Sequence, residues 1–129
     1  METQTKNILI VDDDKYILHI FSRILQKQGY NVETAETGQD AIKKLQTAKF
    51  NLALIDVKLP DTDGTDLLAK IHRTMPDMIK IAITGFPSLE DATKVMDQGA
   101  TAYLVKPVKS NELVKIIAEK LNTQDVGSS

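Results

Sequence analysis

Four aspartates lie in the stretch NLALIDVKLPDTDGTDLL, which spans residues 51–68. Asp56 directly follows an apolar run, and the other three are Asp61, Asp63 and Asp66. A carboxylate at the end of a buried strand can act as a nucleophile or a metal ligand, while aspartates beside Pro and Gly commonly stabilise turns. Asp56 is therefore the strongest candidate for chemistry, and Asp61 and Asp63 are predicted to stabilise a loop.

Polar residues also follow other apolar runs of the chain. Asp12 and Asp13 come after the first run, Thr84 ends the fourth, and Lys106 comes after the fifth. Because ligands of open α/β sheets bind beyond the carboxyl ends of the strands, these positions are suited to a ligand-binding site. We expect them to converge with Asp56 on one rim of a sheet.

The residue types in this set favour a divalent metal and phosphate. Three ionised carboxylates would repel one another unless a cation neutralises them. Oxygen ligands without His or Cys suit Mg²⁺ or Mn²⁺. Lys106 would supply positive charge and Thr84 a hydrogen-bond donor to a phosphoryl group. Asp56 could accept that group as an acyl phosphate.

Short apolar runs alternate five times with longer segments of helical periodicity, which is a βα pattern. Four runs are almost continuously apolar, as strands buried on both faces are, whereas the second alternates and suggests an edge strand. Right-handed crossovers place helices on both faces, so the sequence predicts a doubly wound α/β fold with a five-stranded parallel sheet. The predicted strands are residues 7–11, 31–35, 51–55, 80–84 and 102–105.

The ends of the helices carry recognisable signals. Asp14, Thr37 and Ser88 can cap the starts of the first, second and fourth helices. Gly29 can end the first helix by adopting a left-handed backbone, and the fourth helix is predicted to end at Gly99. These signals mark where the predicted helices begin and end.

The composition excludes several classes of protein. The net charge of −2 and the pI of about 5.6 give no reason to expect nucleic-acid binding. The chain has no cysteine, which excludes disulfides and thiolate chemistry. It has only two histidines, which excludes a multi-histidine metal site. No apolar run approaches the roughly 20 residues of a membrane span, and no secretory pattern opens the chain, so a cytoplasmic location is expected. We predict one domain, residues 6–121, preceded by a disordered segment at 1–5 and followed by a disordered tail or linker at 122–129.

Four motifs, ILIVDDD, LALIDVKLPDTDG, IAITG and YLVKP, occur in this order between residue 6 and about residue 121. Each is weak alone, but together they resemble the receiver domain of two-component response regulators. The resemblance implies a chemotaxis-regulator-like, flavodoxin-like (βα)₅ fold with strand order 2-1-3-4-5. It also implies a phosphorylation-dependent signalling switch rather than a turnover enzyme, although the domain would contribute to its own phosphoryl chemistry.

The resemblance assigns the phosphoryl acceptor and the metal ligands. Asp56 would be phosphorylated by a histidine kinase or a histidine phosphotransfer protein. Asp12, Asp13, Asp56 and the backbone carbonyl of Lys58 would hold Mg²⁺ or Mn²⁺.

The resemblance also implies how phosphorylation would change the surface of the domain. Thr84 and Lys106 would contact the phosphoryl group, and a cis bond before Pro107 would aim the lysine inward. Tyr103 would be the aromatic switch residue that follows the movement of Thr84. The surface around the fourth helix, fifth strand and fifth helix would then change and control an effector protein or domain. The domain would act as a monomer or a phosphorylation-dependent homodimer.

Two positions that vary within the family are predicted to tune the phosphoryl lifetime. Lys58, two residues after the acceptor, can reach the phosphoryl group. Phe86, two residues after Thr84, offers no polar group to position an attacking water. The hypothesis is slow self-dephosphorylation.

Two alternative functions stay open. The motif DTDGT at 61–65 resembles that of haloacid dehalogenase-type phosphotransferases, which would make the chain a metal-dependent aspartyl phosphatase or phosphotransferase. In that family the motif directly follows a strand, whereas VKLP here separates Asp61 from Ile55. The second alternative is a receiver that only binds partners, although the acceptor, the acidic pair and the lysine are all present.

Overall fold

Strands and helices alternate without exception along the described part of the computed structural model, residues 5–85 and 89–127. This alternation confirms the predicted βα pattern. The strands are β1 (Asn7–Val11), β2 (Asn31–Ala35), β3 (Leu52–Asp56), β4 (Ile79–Thr84) and β5 (Ala102–Val105). The helices are α1 (Lys15–Lys27), α2 (Gly38–Thr47), α3 (Gly64–Thr74), α4 (Leu89–Asp97) and α5 (Ser110–Gly127).

The strands form one parallel sheet in the order β2-β1-β3-β4-β5. This order confirms the predicted doubly wound, flavodoxin-like fold, and it puts β2 at an edge as its alternating pattern predicts. β3 begins and ends one residue later than predicted. Asp56 is therefore the last residue of the strand, in register with Ile83 of β4, rather than the first residue of the loop.

Two apolar clusters cover the two faces of the sheet, because successive strand residues point to opposite sides. One cluster packs α1 and α5 on strand residues such as Ile8, Ile10, Leu54 and Ile81. The other packs α2, α3 and α4 on residues such as Leu9, Val11, Ala53 and Ile55. Fully burying each Leu or Ile contributes roughly 1.5–3 kcal/mol. The sheet is thus a rigid base for the loops at its carboxyl edge.

Several predicted helix boundaries are observed. Asp14 Oδ1 accepts hydrogen bonds from the backbone N–H groups of the first turn of α1, and Thr37 Oγ1 caps α2 in the same way. Gly29 and Gly99 have φ angles of +93° and +107°, in the left-handed region that favours glycine after a helix. The predicted cap Ser88 lies outside the described residues.

The structure differs from the prediction at the end of the chain. α5 continues to Gly127, so residues 122–127 are helical where a disordered tail is predicted. The apolar stripe that marks a helix in the sequence ends at Leu121, the last buried residue described in α5. A helix can continue beyond its packed face because its backbone hydrogen bonds are internal. No helix of the described residues is both long and apolar enough to cross a membrane.

Candidate functional site

The polar residues that follow different strands meet at the carboxyl edge of the sheet. Carboxylate oxygens of Asp12, Asp13 and Asp56 lie within 4.8 Å of one another. Lys106 Nζ lies 3.1 Å from Asp56 Oδ2 and 3.5 Å from Asp12 Oδ2. Asp12 and Asp56 are only 1% and 5% exposed, whereas Asp13 faces solvent. The structure therefore brings the predicted acidic group and lysine together, with one side open.

The backbone at the end of β1 fixes the orientation of Asp12. Its N–H continues the sheet by donating to Ala35 O at 3.0 Å. Its Oδ1 accepts a hydrogen bond of 2.9 Å from the N–H of Asp14, the residue that caps α1. With one carboxylate oxygen held by the turn, the other faces Lys106.

Asp56 is held at both carboxylate oxygens. Oδ1 accepts from the N–H of Lys58 at 2.9 Å, and Oδ2 accepts from Lys106 Nζ at 3.1 Å. The next residue, Val57, donates to Ile83 O at 2.9 Å, so the pairing of β3 with β4 extends past Asp56. Gly64 N–H then donates to Val57 O at 2.7 Å and closes the loop between β3 and α3.

Burial and neighbouring charges shift the pKa values of Asp12 and Lys106. Desolvation of Asp12 raises the pKa of its carboxyl, and the charge of Asp56 raises it further, against the lowering effects of the Asp14 N–H and of Lys106. Partial burial lowers the pKa of Lys106, but its contacts with Asp56 and Asp12 outweigh burial and raise the pKa overall. The ammonium is thus the countercharge of two buried carboxylates.

The donor set fits a hard divalent cation. Asp12 Oδ2 is buried and has no hydrogen-bond partner among the described residues. Lys106 Nζ, 3.5 Å away, gives this oxygen a neighbouring charge but no hydrogen bond, and a buried acceptor without a donor is costly unless something else satisfies it. A cation ligated by Asp12, Asp13 and Asp56 would do so, and an all-oxygen set matches Mg²⁺.

Beside the acidic group lies a shallow cleft of about 620 Å³ between the β3–α3 loop and the end of β4. Lys58, Pro60 and Thr84 are among the residues that line it. The Lys106 N–H donates to Thr84 O at 2.8 Å, and the Lys106–Pro107 bond is cis, as the resemblance implies. Thr84, which lines the cleft, is thus joined through its carbonyl to the backbone of Lys106, whose ammonium contacts Asp56.

Thr84 and Tyr103 lie on the same face of the sheet. Tyr103 is in register with Ala82, which is two residues before Thr84 and so points to the same side. Its neighbour Leu104 is buried in the opposite cluster. Tyr103 is 40% exposed, whereas Thr84 is buried. The predicted switch pair thus lies on one face, with the tyrosine directed outwards.

Two of the other aspartates in residues 51–68 accept hydrogen bonds that hold the local structure, and the third is exposed. Asp63 caps α3: its Oδ1 accepts from the N–H and the hydroxyl of Thr65 at 2.9 and 2.8 Å, and both bonds lower the pKa of its carboxyl. Asp61 accepts two hydrogen bonds from the start of α2. Asp66 is exposed in the first turn of α3. The predicted tuning residue Phe86 lies outside the described residues.

A buried lysine on β4 was missed by the sequence interpretation, which treated KIAIT as a buried strand. Lys80 is 1% exposed, and its Nζ donates to Met75 O at 3.0 Å and to Pro76 O at 3.3 Å, with His72 Nδ1 at 3.0 Å. Burial lowers the pKa of this lysine. Lys80 lies near the amino end of β4, at the edge of the sheet opposite the acidic group. Its hydrogen bonds to Met75 O and Pro76 O hold the turn that follows α3. A charged residue opening an apolar run was the available signal.

Known proteins match the chain over most of its length. A family model described as the response regulator receiver domain matches residues 8–118. The crystal structure of a response regulator receiver domain protein (CheY-like) from Methanospirillum hungatei JF-1 is 46% identical, with a TM-score of 0.93 and coverage of 96% of this chain and 99% of that chain.

Curated transcriptional regulators are also similar. The transcriptional regulatory protein GlrR of Escherichia coli (strain K12) is 33% identical over 121 residues, covering 94% of this chain and 27% of its own length. The alginate biosynthesis transcriptional regulatory protein AlgB of Pseudomonas aeruginosa is 33% identical over 129 residues, covering 98% and 29%. The chain spans less than a third of either relative. It belongs to the family of response regulator receiver domains.

Proposed function

We propose that the chain is a phosphorylation-dependent signalling switch that accepts a phosphoryl group on Asp56. The observation that carries this proposal is the surroundings of the Asp56 carboxylate. It is buried at a strand end, held by Lys106 on one oxygen, and adjacent to a buried Asp12 oxygen that lacks a hydrogen-bond donor in the described structure. This combination suits a nucleophile that works beside a divalent cation.

The transfer needs little more than positioning and charge neutralisation. An oxygen of Asp56 bonds to phosphorus, the phosphorus–nitrogen bond of a phosphohistidine donor breaks, and the electron pair leaves with the imidazole. Lys106 neutralises the incoming phosphoryl oxygens, and the Thr84 hydroxyl donates a hydrogen bond to them. Asp12, Asp13, Asp56 and the carbonyl of Lys58 would hold Mg²⁺, which supplies further neutralising charge.

The output would follow from the new charge at Asp56. Thr84 moves towards the phosphoryl group, and Tyr103, on the same face of the sheet, fills the space vacated. The surface formed by α4, β5 and α5 then shifts between two states whose populations the phosphoryl group biases. This surface would control a downstream effector protein or domain.

The partners of such a switch follow from its chemistry. The donor would be a histidine kinase or a histidine phosphotransfer protein in the cytoplasm, and the domain would act as a monomer or a phosphorylation-dependent homodimer. With a net charge of −2, this chain would not bind nucleic acid directly. It would take part in phosphoryl transfer without acting as a turnover enzyme.

The direct test is the intact mass of the chain after incubation with acetyl phosphate and Mg²⁺. Gain of one phosphoryl group that EDTA prevents is the expected result. A receiver that only binds partners would gain none from acetyl phosphate or from a phosphorylated phosphotransfer protein. A metal-dependent phosphatase acting through Asp61 would gain the group even without Asp56, but the Asp61 carboxylate is engaged by two N–H groups of α2.

Lys106 is expected to matter most when the metal is removed. In EDTA, Lys106→Met should lower the free energy of unfolding by about 2 kcal/mol, less than breaking a fully buried pair because the lysine is 35% exposed. Urea unfolding in EDTA and in Mg²⁺ measures this. Since Mg²⁺ would neutralise the same carboxylates, the loss should shrink in Mg²⁺. An equal loss in both conditions would contradict the countercharge role.

The lifetime of the phosphoryl group provides a separate prediction. Lys58→Asn removes a cation that could reach the phosphoryl group, and Phe86→Glu adds a polar group that could position an attacking water. Each substitution should speed loss of the phosphoryl group roughly severalfold, which is less than the 10²–10⁴-fold that general acid–base catalysis reaches. Time courses of intact mass after removal of the donor give the rates, and unchanged rates in both variants refute the tuning role.

A further inference from the structure

Asp61 joins the loop between β3 and α3 to the start of α2. Its Oδ1 accepts from the N–H of Gly38 at 2.9 Å, and its Oδ2 accepts from the N–H of Gln39 at 3.0 Å. The cap of α2 itself, Thr37, accepts from the following N–H, that of Asp40, at 3.0 Å. Two of the first N–H groups of α2 are therefore satisfied by a carboxylate from the β3–α3 loop.

The electrostatics agree with this geometry. The hydrogen bonds from Gly38 and then Gln39 lower the pKa of the Asp61 carboxyl. The start of a helix also carries partial positive charge, which favours a carboxylate there. Asp61 is thus ionised at neutral pH, and each of its carboxylate oxygens accepts one hydrogen bond from the backbone of α2.

The tip of the loop packs tightly on α2. A Cβ atom added at Gly38 would lie 2.5 Å from Thr62 Cγ2 and 3.6 Å from Leu67 Cδ2. There is consequently no room for a side chain at position 38 unless the loop or Thr62 moves. The close approach and the two hydrogen bonds fix the tip against the same point of α2.

The remainder of the loop is anchored at its two ends. Lys58 N–H donates to Asp56 Oδ1 at 2.9 Å, and Lys58 forms an isolated antiparallel bridge with Asp63. Gly64 N–H donates to Val57 O at 2.7 Å. Between these anchors the chain turns through residues 59–62, and Asp61 ties this turn to α2. The Lys58 carbonyl therefore belongs to a loop held at its base and at its tip.

We propose that Asp61 is a positioning residue that holds the β3–α3 loop so that the Lys58 carbonyl is ready to ligate Mg²⁺. This inference rests on the proposed function, since it assumes that the Lys58 carbonyl is a ligand. Metal affinity depends on groups that orient the ligands, and losing one such group commonly weakens binding by 10–100-fold. Asp61 acts through the backbone of the loop and is neither a metal ligand nor a nucleophile.

The test compares Mg²⁺ affinity in two variants at position 61. Asp61→Ala removes both acceptors and should raise the Mg²⁺ dissociation constant about tenfold. Asp61→Asn keeps one acceptor oxygen and should give an intermediate value. Titration with MgCl₂, followed by the backbone amide signals of the rim in NMR spectra, measures the constant without requiring phosphorylation. Spectra of the metal-free variants verify that each is folded.

Thr37→Ala is the matched control. It removes a hydrogen bond from the start of the same helix but neither of the two hydrogen bonds that Asp61 accepts. It should destabilise α2 yet leave the Mg²⁺ dissociation constant within about twofold of the native value, below what a lost orienting group causes. Equal weakening by Thr37→Ala and Asp61→Ala would mean that Asp61 only stabilises α2, and would overturn the proposal.

Two further outcomes separate this inference from the proposed function. Native affinity in Asp61→Ala, with normal phosphorylation of Asp56, would overturn the positioning role and leave the switch intact. Absence of Mg²⁺ binding in the native chain would overturn both. Weakened binding in Asp61→Ala, partial recovery in Asp61→Asn and native binding in Thr37→Ala together support it.

Discussion

Asp56→Asn is expected to abolish the gain of a phosphoryl group from acetyl phosphate, whereas the native chain gains one. The amide has nearly the same shape and keeps an oxygen that can accept from Lys58 N–H, so the loop should stay in place. It lacks the ionised oxygen that bonds to phosphorus. Intact mass spectrometry of both proteins after the same incubation with Mg²⁺ provides the comparison.

Asp66→Asn is the matched control for this experiment. Asp66 is an exposed carboxylate of the same stretch, in the first turn of α3. The Asp66→Asn variant should gain a phosphoryl group on Asp56 like the native chain. A phosphoryl group that persists in Asp56→Asn would contradict the assignment and direct attention to Asp61. EDTA should abolish the gain in the native protein, since the charge of Lys106 leaves three carboxylates incompletely neutralised against the incoming phosphate.

The convergence of the rim residues could be predicted from the sequence because it depends on a simple rule of parallel sheets. Residues at the carboxyl ends of β1, β3, β4 and β5 must share one edge, whatever the details of packing. Asp12, Asp56 and Lys106 are close together for this reason. The rule requires only the βα pattern, which short apolar runs reveal clearly.

The role of Asp61 could not be predicted in the same way. Its partner Gly38 lies 23 residues earlier in the chain, and the contact depends on how α2 and α3 pack together. A loop aspartate next to proline has a local explanation as a turn residue, and that explanation hides the long-range one. Lys80 was missed for a related reason, because its hydrogen bonds reach carbonyls at the end of α3 that periodicity does not identify.

The length of α5 illustrates a different limit. The sequence signal for a helix is its buried stripe, and that stripe ends at Leu121. Residues 122–127 continue the helix through backbone hydrogen bonds, which leave no hydrophobic pattern in the sequence. Sequence reasoning therefore located the packed part of this helix and missed its extension.

Of the substitutions for which a stability change is predicted, Gly64→Ala is expected to lower the free energy of unfolding most. A Cβ at this position would lie 2.4 Å from Val57 Cα and 2.6 Å from Asp56 O, both backbone atoms that cannot rotate away. The backbone must shift, at a cost of about 3 kcal/mol in the free energy of unfolding. Urea unfolding of the native and variant chains measures the loss.

Gly29→Ala distinguishes crowding at Gly64 from the general effect of replacing a glycine. Gly29 has a φ angle of +93°, but a Cβ there would have no atom within 4 Å among the described residues. Its loss should be about 1 kcal/mol, the cost of a left-handed backbone alone. The shift in Gly64→Ala also moves the carbonyl of Asp56, so its phosphorylation should slow while that of Gly29→Ala stays native. Equal losses of stability in the two variants would contradict the close approach at Gly64, which holds the loop against the acceptor strand.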